Sequence, residues 1–175
     1  WLGGMGVASG FRNNINMKSG ARVGIDAKGI VTVATDMTDI GPGSYTIIAQ
    51  TAAEMMGVPL DRIHVLLGDS DFPVAAGSGG QWGANSATAG VYAACVKLRE
   101  AVAQKLGFNS ADVVFEDGKV RSGNRSVPLG QAAGDAGLSA EDSIEFGDLA
   151  KKNALVPEIF LGGTPRADHR VDNAF

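Results

Sequence analysis

The chain has 175 residues, a formal net charge of −4, 45% apolar side chains and 19% charged ones. That length suffices for one domain with a real core, and the acidic balance gives no electrostatic footprint for nucleic acid. No apolar run is long enough to span a bilayer, and the 25 glycines, scattered without a repeat, exclude collagen and predict many tight turns and close backbone contacts.

Taken in order, residues 5–11 are short, apolar and punctuated by glycine, and read as a strand with its backbone close to a neighbour. Residues 13–19 are polar and read as a loop. Residues 21–27 alternate, with Val23 and Ile25 on one face and Arg22, Gly24 and Asp26 on the other. Lys28-Gly29 then turns the chain into Ile30-Val31-Thr32-Val33-Ala34-Thr35, so this stretch predicts a β-hairpin.

Asp39-Ile40-Gly41-Pro42-Gly43-Ser44-Tyr45-Thr46 leads into a predicted helix over residues 47–57, with Ile48, Ala52 and Met55 sharing a face. Gly57 closes it, followed by Val58-Pro59, while Ser44 or Thr46 supplies a hydroxyl for a cap or for a ligand oxygen. Residues 62–67 read as a strand in which His64 has no partner histidine or cysteine nearby, so a structural or surface role is expected. Gly68-Asp69-Ser70-Asp71 lacks the acidic spacing and closing glutamate of a calcium loop and reads as a turn.

Gly77-Ser78-Gly79-Gly80-Gln81-Trp82-Gly83 then feeds a long predicted helix over residues 84–106. Its apolar positions Ala87, Val91, Ala94, Cys95, Leu98 and Val102 recur at helical spacing. A glycine-rich turn entering a helix can hold an anion, because the backbone approaches closely and the first N–H groups lack intrahelical partners. The same pattern also describes an exposed loop capped by its own helix. Cys95, on the apolar face, is expected to be a buried inert thiol, and one thiol leaves the compartment undecided. Residues 113–121 read as a second hairpin around Asp117-Gly118, and residues 127–136 as a weak helix with Pro128 in its first turn. The irregular alternation of strands and helices predicts an α+β fold with a mixed sheet and two main helices. Both ends of the sequence look like those of a piece cut from a larger protein, and residues 153–175 show no clear period.

These linked motifs, in this order, resemble the large subunit of the xanthine dehydrogenase/aldehyde oxidase family, in its aldehyde-oxidase-like bacterial branch. The resemblance rests on Asp39-Ile40-Gly41-x-Gly43-x-x-Thr46, Ala52-Ala53-Glu54 with Gly57-Val58-Pro59, the Gly-Asp-Ser strand exit, and the glycine loop running to Gly90-Val91-Tyr92-Ala93-Ala94-Cys95. It extends from about residue 4 to residue 149, and implies one partial cofactor-binding domain over residues 1–175. The implied cofactor is molybdopterin, the molybdenum cofactor, with the mononucleotide form and the cytosine dinucleotide form both open. The implied partners are the remainder of the large subunit and iron–sulfur and FAD subunits or domains, with a homo-oligomer also open.

By the same resemblance the cofactor-binding residues are Gly41, Gly43, Ser44 and Thr46, then Gly79, Gly80, Gln81, Trp82, Gly83 and Ala84. Pro42 stands where the family often carries glutamine, which removes one polar contact, and Trp82 is bulkier than the residues of xanthine-type relatives. The family's general base is a glutamate in a Gly-x-Gly-Glu segment, and this chain contains no Gly-Glu dipeptide. No catalytic residue and no metal ligand is therefore assigned, and the isolated piece is expected to be inactive. A phosphate- or nucleotide-binding module without redox chemistry, and a ligand-free scaffold, are the other readings.

Overall fold

The structure, a computed structural model, describes residues 3–10 and 15–144. A four-stranded mixed sheet has the order β3-β2-β1-β7, and a three-stranded antiparallel sheet has the order β4-β5-β6. In the first sheet, β1 (Ser19–Ile25) pairs antiparallel with both β2 (Val31–Thr35) and β7 (Leu138–Ile144). β3 (Ile63–Leu67) runs parallel to β2, so α1 (Ser44–Met56) serves as the crossover between them.

The alternation of β1 decides which face is covered. Ala21, Val23 and Ile25 are buried, while Arg22 points outward and pairs with Glu141 at 2.8 Å. On the covered side they share one core with Val31 and Val33 of β2, Ile48, Ala52 and Met56 of α1, and Val91, Leu98 and Val102 of α2 (Gly83–Leu106). Gly90 of α2 sets how closely helix and sheet approach: a Cβ built there would lie 2.7 Å from the Ser19 carbonyl oxygen. Cys95 lies in this core, fully buried, as its helical position predicts.

The smaller sheet comprises β4 (Val114–Glu116), β5 (Lys119–Ser122) and β6 (Arg125–Pro128). Asp117 and Gly118 both have positive φ, 52° and 67°, as a tight hairpin turn between right-twisted strands requires. Gly57, in the left-handed region at φ 62°, ends α1 and accepts the Gly118 N–H at 2.7 Å. Arg99 of α2 stacks over Phe115 at 4.4 Å and donates to the Met55 carbonyl, tying this sheet to the far ends of both helices.

Three expectations are corrected. Residues 3–10 carry no strand and are exposed throughout, with Met5 and Val7 fully open; among the described residues no neighbour completes a ladder with this glycine-rich run, and Phe11 lies outside them. The weak helix over residues 127–136 is instead the end of β6 followed by a short helix, α3 (Leu129–Ala133). Val127 pairs with Val120 across the sheet, and that pairing overrides a marginal local preference. Residue 62 belongs to a 3₁₀ turn that precedes β3. The structure also adds β7, where Leu138, Ala140 and Asp142 are only partly buried and too little apolar signal exists to announce a strand. The tail over residues 153–175 lies outside the described residues.

Candidate functional site: two helix starts at one sheet edge

Because β2 and β3 are parallel, their carboxyl ends share one edge of the sheet. The loop after β2 leads to the start of α1 and the loop after β3 to the start of α2, so both helices begin at that edge. This is where ligands settle in sheets built from parallel strands. The loops also bond to each other. The Asp36 N–H donates to the Pro73 carbonyl at 3.0 Å, the Ala75 N–H donates to the Asp36 carboxylate, and the Ser78 hydroxyl donates to the Thr38 carbonyl. Met37 is wedged between them, 1% exposed, with its methyl against the α carbon face of Gly83.

At the α1 corner Gly41 and Gly43 have φ of 103° and 88°, and a Cβ at either would meet nothing within 4 Å. Glycine is needed there for backbone conformation, and its open flank leaves the main chain approachable. Neither Ser44 nor Thr46 caps the helix: no side chain bonds at the Gly43 cap position. Asp39 does the work nearby, its carboxylate accepting the Gly41 N–H at 2.8 Å and the Tyr45 N–H at 3.4 Å. The Gly43 carbonyl takes the Thr46 and Ile47 N–H groups at 3.0 and 3.2 Å. Ser44 is fully buried with its hydroxyl unpartnered, while Tyr45 and Thr46 are exposed.

The α2 corner is built differently. Its turn closes through the Trp82 N–H donating to the Gly79 carbonyl at 3.0 Å, with Gly80 at φ 38° and Gln81 at φ 68°. The Trp82 ring folds back on the glycines: a Cβ at Gly79 would lie 2.8 Å from it and a Cβ at Gly80 only 1.8 Å. No side chain caps α2 and no acidic residue lies in its first turn. The Trp82 indole N–H is buried without a partner, whereas Gln81 and Ala84 are exposed.

The charged side chains of the two loops are all negative. Residues 36–46 and 68–84 contain Asp36, Asp39, Asp69 and Asp71 but no lysine or arginine. Asp36, Asp39 and Asp69 each spend a carboxylate oxygen on a backbone N–H. An anionic group seated here would meet main-chain dipoles rather than cations. Among the described residues there is no cluster of histidine, cysteine or acidic side chains able to hold a metal, His64 is exposed, and Asp69–Phe72 forms a turn. Burial lifts the Cys95 thiol from its ordinary 9.0 to about 12, with Arg99 pulling weakly the other way. Desolvation likewise lowers the Arg99 guanidinium.

The open glycine flanks, the uncapped α2 start and the orphaned Ser44 and Trp82 polar atoms all fit a large polar cofactor rather than a bare metal ion. Asp39 is the participant that residue-by-residue reading missed. Its signal was present, since aspartate two residues before glycine commonly bonds the backbone ahead of it.

The chain is a cofactor-binding domain by family: it belongs to the molybdopterin cofactor-binding domain family, whose model matches residues 2–158. Over 152 residues it is 63% identical to the aldehyde oxidoreductase molybdenum-binding subunit PaoC of Escherichia coli O157:H7, covering 87% of this chain and 21% of that subunit. It is 35% identical over 104 residues to the nicotine 6-hydroxylase large subunit of Paenarthrobacter nicotinovorans, covering 56% of this chain and 13% of that one. Quinoline 2-oxidoreductase from Pseudomonas putida 86 superposes with a TM-score of 0.60 at 26% identity, over 74% of this chain and 19% of that one. CO dehydrogenase from Oligotropha carboxidovorans shares the fold, with a TM-score of 0.60 at 21% identity over 74% of this chain and 18% of that one. The chain thus spans between 13% and 21% of the length of these relatives. The α+β expectation and the family resemblance both stand, and the non-redox module and the ligand-free scaffold find no support among these proteins.

Proposed function

We propose that this chain is the cofactor-holding piece of the large subunit of an aldehyde-oxidising molybdenum hydroxylase, forming a partial domain over residues 1–175. The single observation that carries the reading is the pair of loops bonded together at one sheet edge, each leading into a helix, in a chain 63% identical to a molybdenum-binding subunit. That identity favours an aldehyde over an N-heterocycle as substrate. The residues proposed to hold molybdopterin are Gly41, Gly43, Ser44 and Thr46 at one corner, and Gly79, Gly80, Gln81, Trp82, Gly83 and Ala84 at the other.

When bound, the molybdenum–pterin group supplies the two-electron oxidation chemistry. The chain's own part is positional. Its unspent backbone N–H groups would meet the cofactor's negative oxygens, Gly41 and Gly43 leave their flanks clear, and with no lysine or arginine in the two loops the main chain would be their source of positive potential. No glutamate of this chain lies in a Gly-Glu context, so the general base belongs to the rest of the subunit, and this piece alone is inactive. The partners proposed are that remainder together with iron–sulfur and FAD subunits. Acid release of molybdenum and a pterin from the purified full-length subunit tests the reading; a subunit that yields neither, when matured in a cofactor-competent host, refutes it.

A further inference from the structure

Among the described residues, only Gln81 and Asp117 carry a positive φ without being glycine, at 68° and 52°. Asp117 takes it in the hairpin turn, and Gln81 takes it with Gly80 in the turn that the Trp82 N–H closes on the Gly79 carbonyl. A non-glycine residue held there costs on the order of 1–3 kcal/mol. One residue on, the Trp82 indole N–H is buried with no acceptor, a second penalty of about 1–3 kcal/mol. The Trp82 ring meanwhile covers the backbone of Gly79 and Gly80, so closely that only glycine fits beneath it. Strain, an orphaned donor and a covered anion-binding turn thus coincide in four consecutive residues.

Resting on the proposed cofactor site, we propose that Trp82 is a latch on the α2 corner. In the arrangement seen here its ring lies over the Gly79–Gly80 backbone. With a cofactor seated, the Trp82 ring would swing off those glycines and its indole N–H would donate to a cofactor oxygen. The orphaned N–H makes the folded-in position incompletely satisfied, and this biases the loop towards the loaded position. The proposal differs from a static glycine cradle because it assigns the gain to one side-chain donor. No bond is made or broken in the step beyond this hydrogen bond.

The decisive variant is Trp82→Phe, which deletes the donor and leaves a smaller aromatic ring, with Trp82→Leu, which deletes donor and ring together, beside it to separate the two losses. Both are made in the full-length subunit, with molybdenum and pterin content measured beside the melting midpoint of the cofactor-free form. The expected result for Trp82→Phe is crossed: occupancy under limiting cofactor falls about three- to tenfold, the worth of one hydrogen bond, while the cofactor-free form melts at the same temperature or higher. A second readout is the tryptophan difference spectrum between loaded and cofactor-free subunit, which should lose a component in the variant. Unchanged occupancy with a loaded wild type overturns the latch and leaves the cofactor site standing. A cofactor-free form that melts lower in step with lost occupancy also overturns it, because the ring would then be structural. A wild type devoid of molybdenum and pterin removes the site itself, and the latch with it.

Discussion

The α1 and α2 corners share a sequence grammar: aspartates, then glycines at short spacing, then a helix without a cationic first turn. They differ in what faces the helix start. At α1 the protein's own Asp39 carboxylate already takes the Gly41 and Tyr45 N–H groups, so that corner carries an internal anion. At α2 no side chain caps, and the nearest cover is an aromatic ring that bonds nothing. An unpaired helix start is an electrostatic vacancy for an anion, whereas one filled by a carboxylate repels a second. On the proposed site, the more strongly charged part of the cofactor would belong at α2, with α1 as an open-flanked wall beside it.

The largest effect that separates the corners comes from Gly90→Val. Its Cβ would press on the Ser19 carbonyl, so the cost should be about 3 kcal/mol, seen as a lower denaturant midpoint. Because Gly90 lies on α2, cofactor content should fall even under conditions where the variant is folded; full occupancy there would show that the α2 corner does not matter. Gly80→Val forces a branched side chain into the Trp82 ring at a positive φ, with an expected cost of about 2 kcal/mol, confined to the loop, and reduced molybdenum content. Normal metal content in that variant would count against the assignment of this loop. Asp39→Ala should cost about 1 kcal/mol in thermal stability, as loss of a helix-start acceptor does. A melting midpoint unchanged in Asp39→Ala would erase the contrast between the corners.

The smallest effect concerns Cys95. Its folded thiol ionises near 12 rather than 9.0, because burial disfavours the thiolate. A raised folded value favours the protonated form, so its contribution to stability is present below pH 9.0 and is lost as pH climbs towards about 12. At neutral pH the native chain should react with a thiol reagent only as fast as it unfolds, whichever corner is altered.

The hairpin of β1 and β2, the two main helices and the Asp-Gly turn were legible because each announces itself over a few neighbouring residues. Val23 and Ile25 alternate, Val91, Leu98 and Val102 follow the helical period, and Gly57 stops a helix by taking a left-handed conformation. β7 was not legible, because Ser139, Glu141 and Ser143 face solvent and the strand is recruited by its partner β1 over the whole span from Ser19 to Ile25. The glycine corners were visible as motifs and, through the family pattern, as candidate binding residues. Which backbone donors were already spent was not visible.

Local sequence determined the elements and where each helix begins, since turn chemistry and hydrophobic period act within a few residues. Tertiary structure alone decided that the two beginnings share an edge, through the parallel pairing of β2 with β3 and the contacts of Asp36 and Ser78 across the loops. It also decided that Asp39 fills one helix start while Trp82 lies folded over the other. Such choices depend on which donor finds which acceptor in three dimensions, and no periodicity along the chain encodes them.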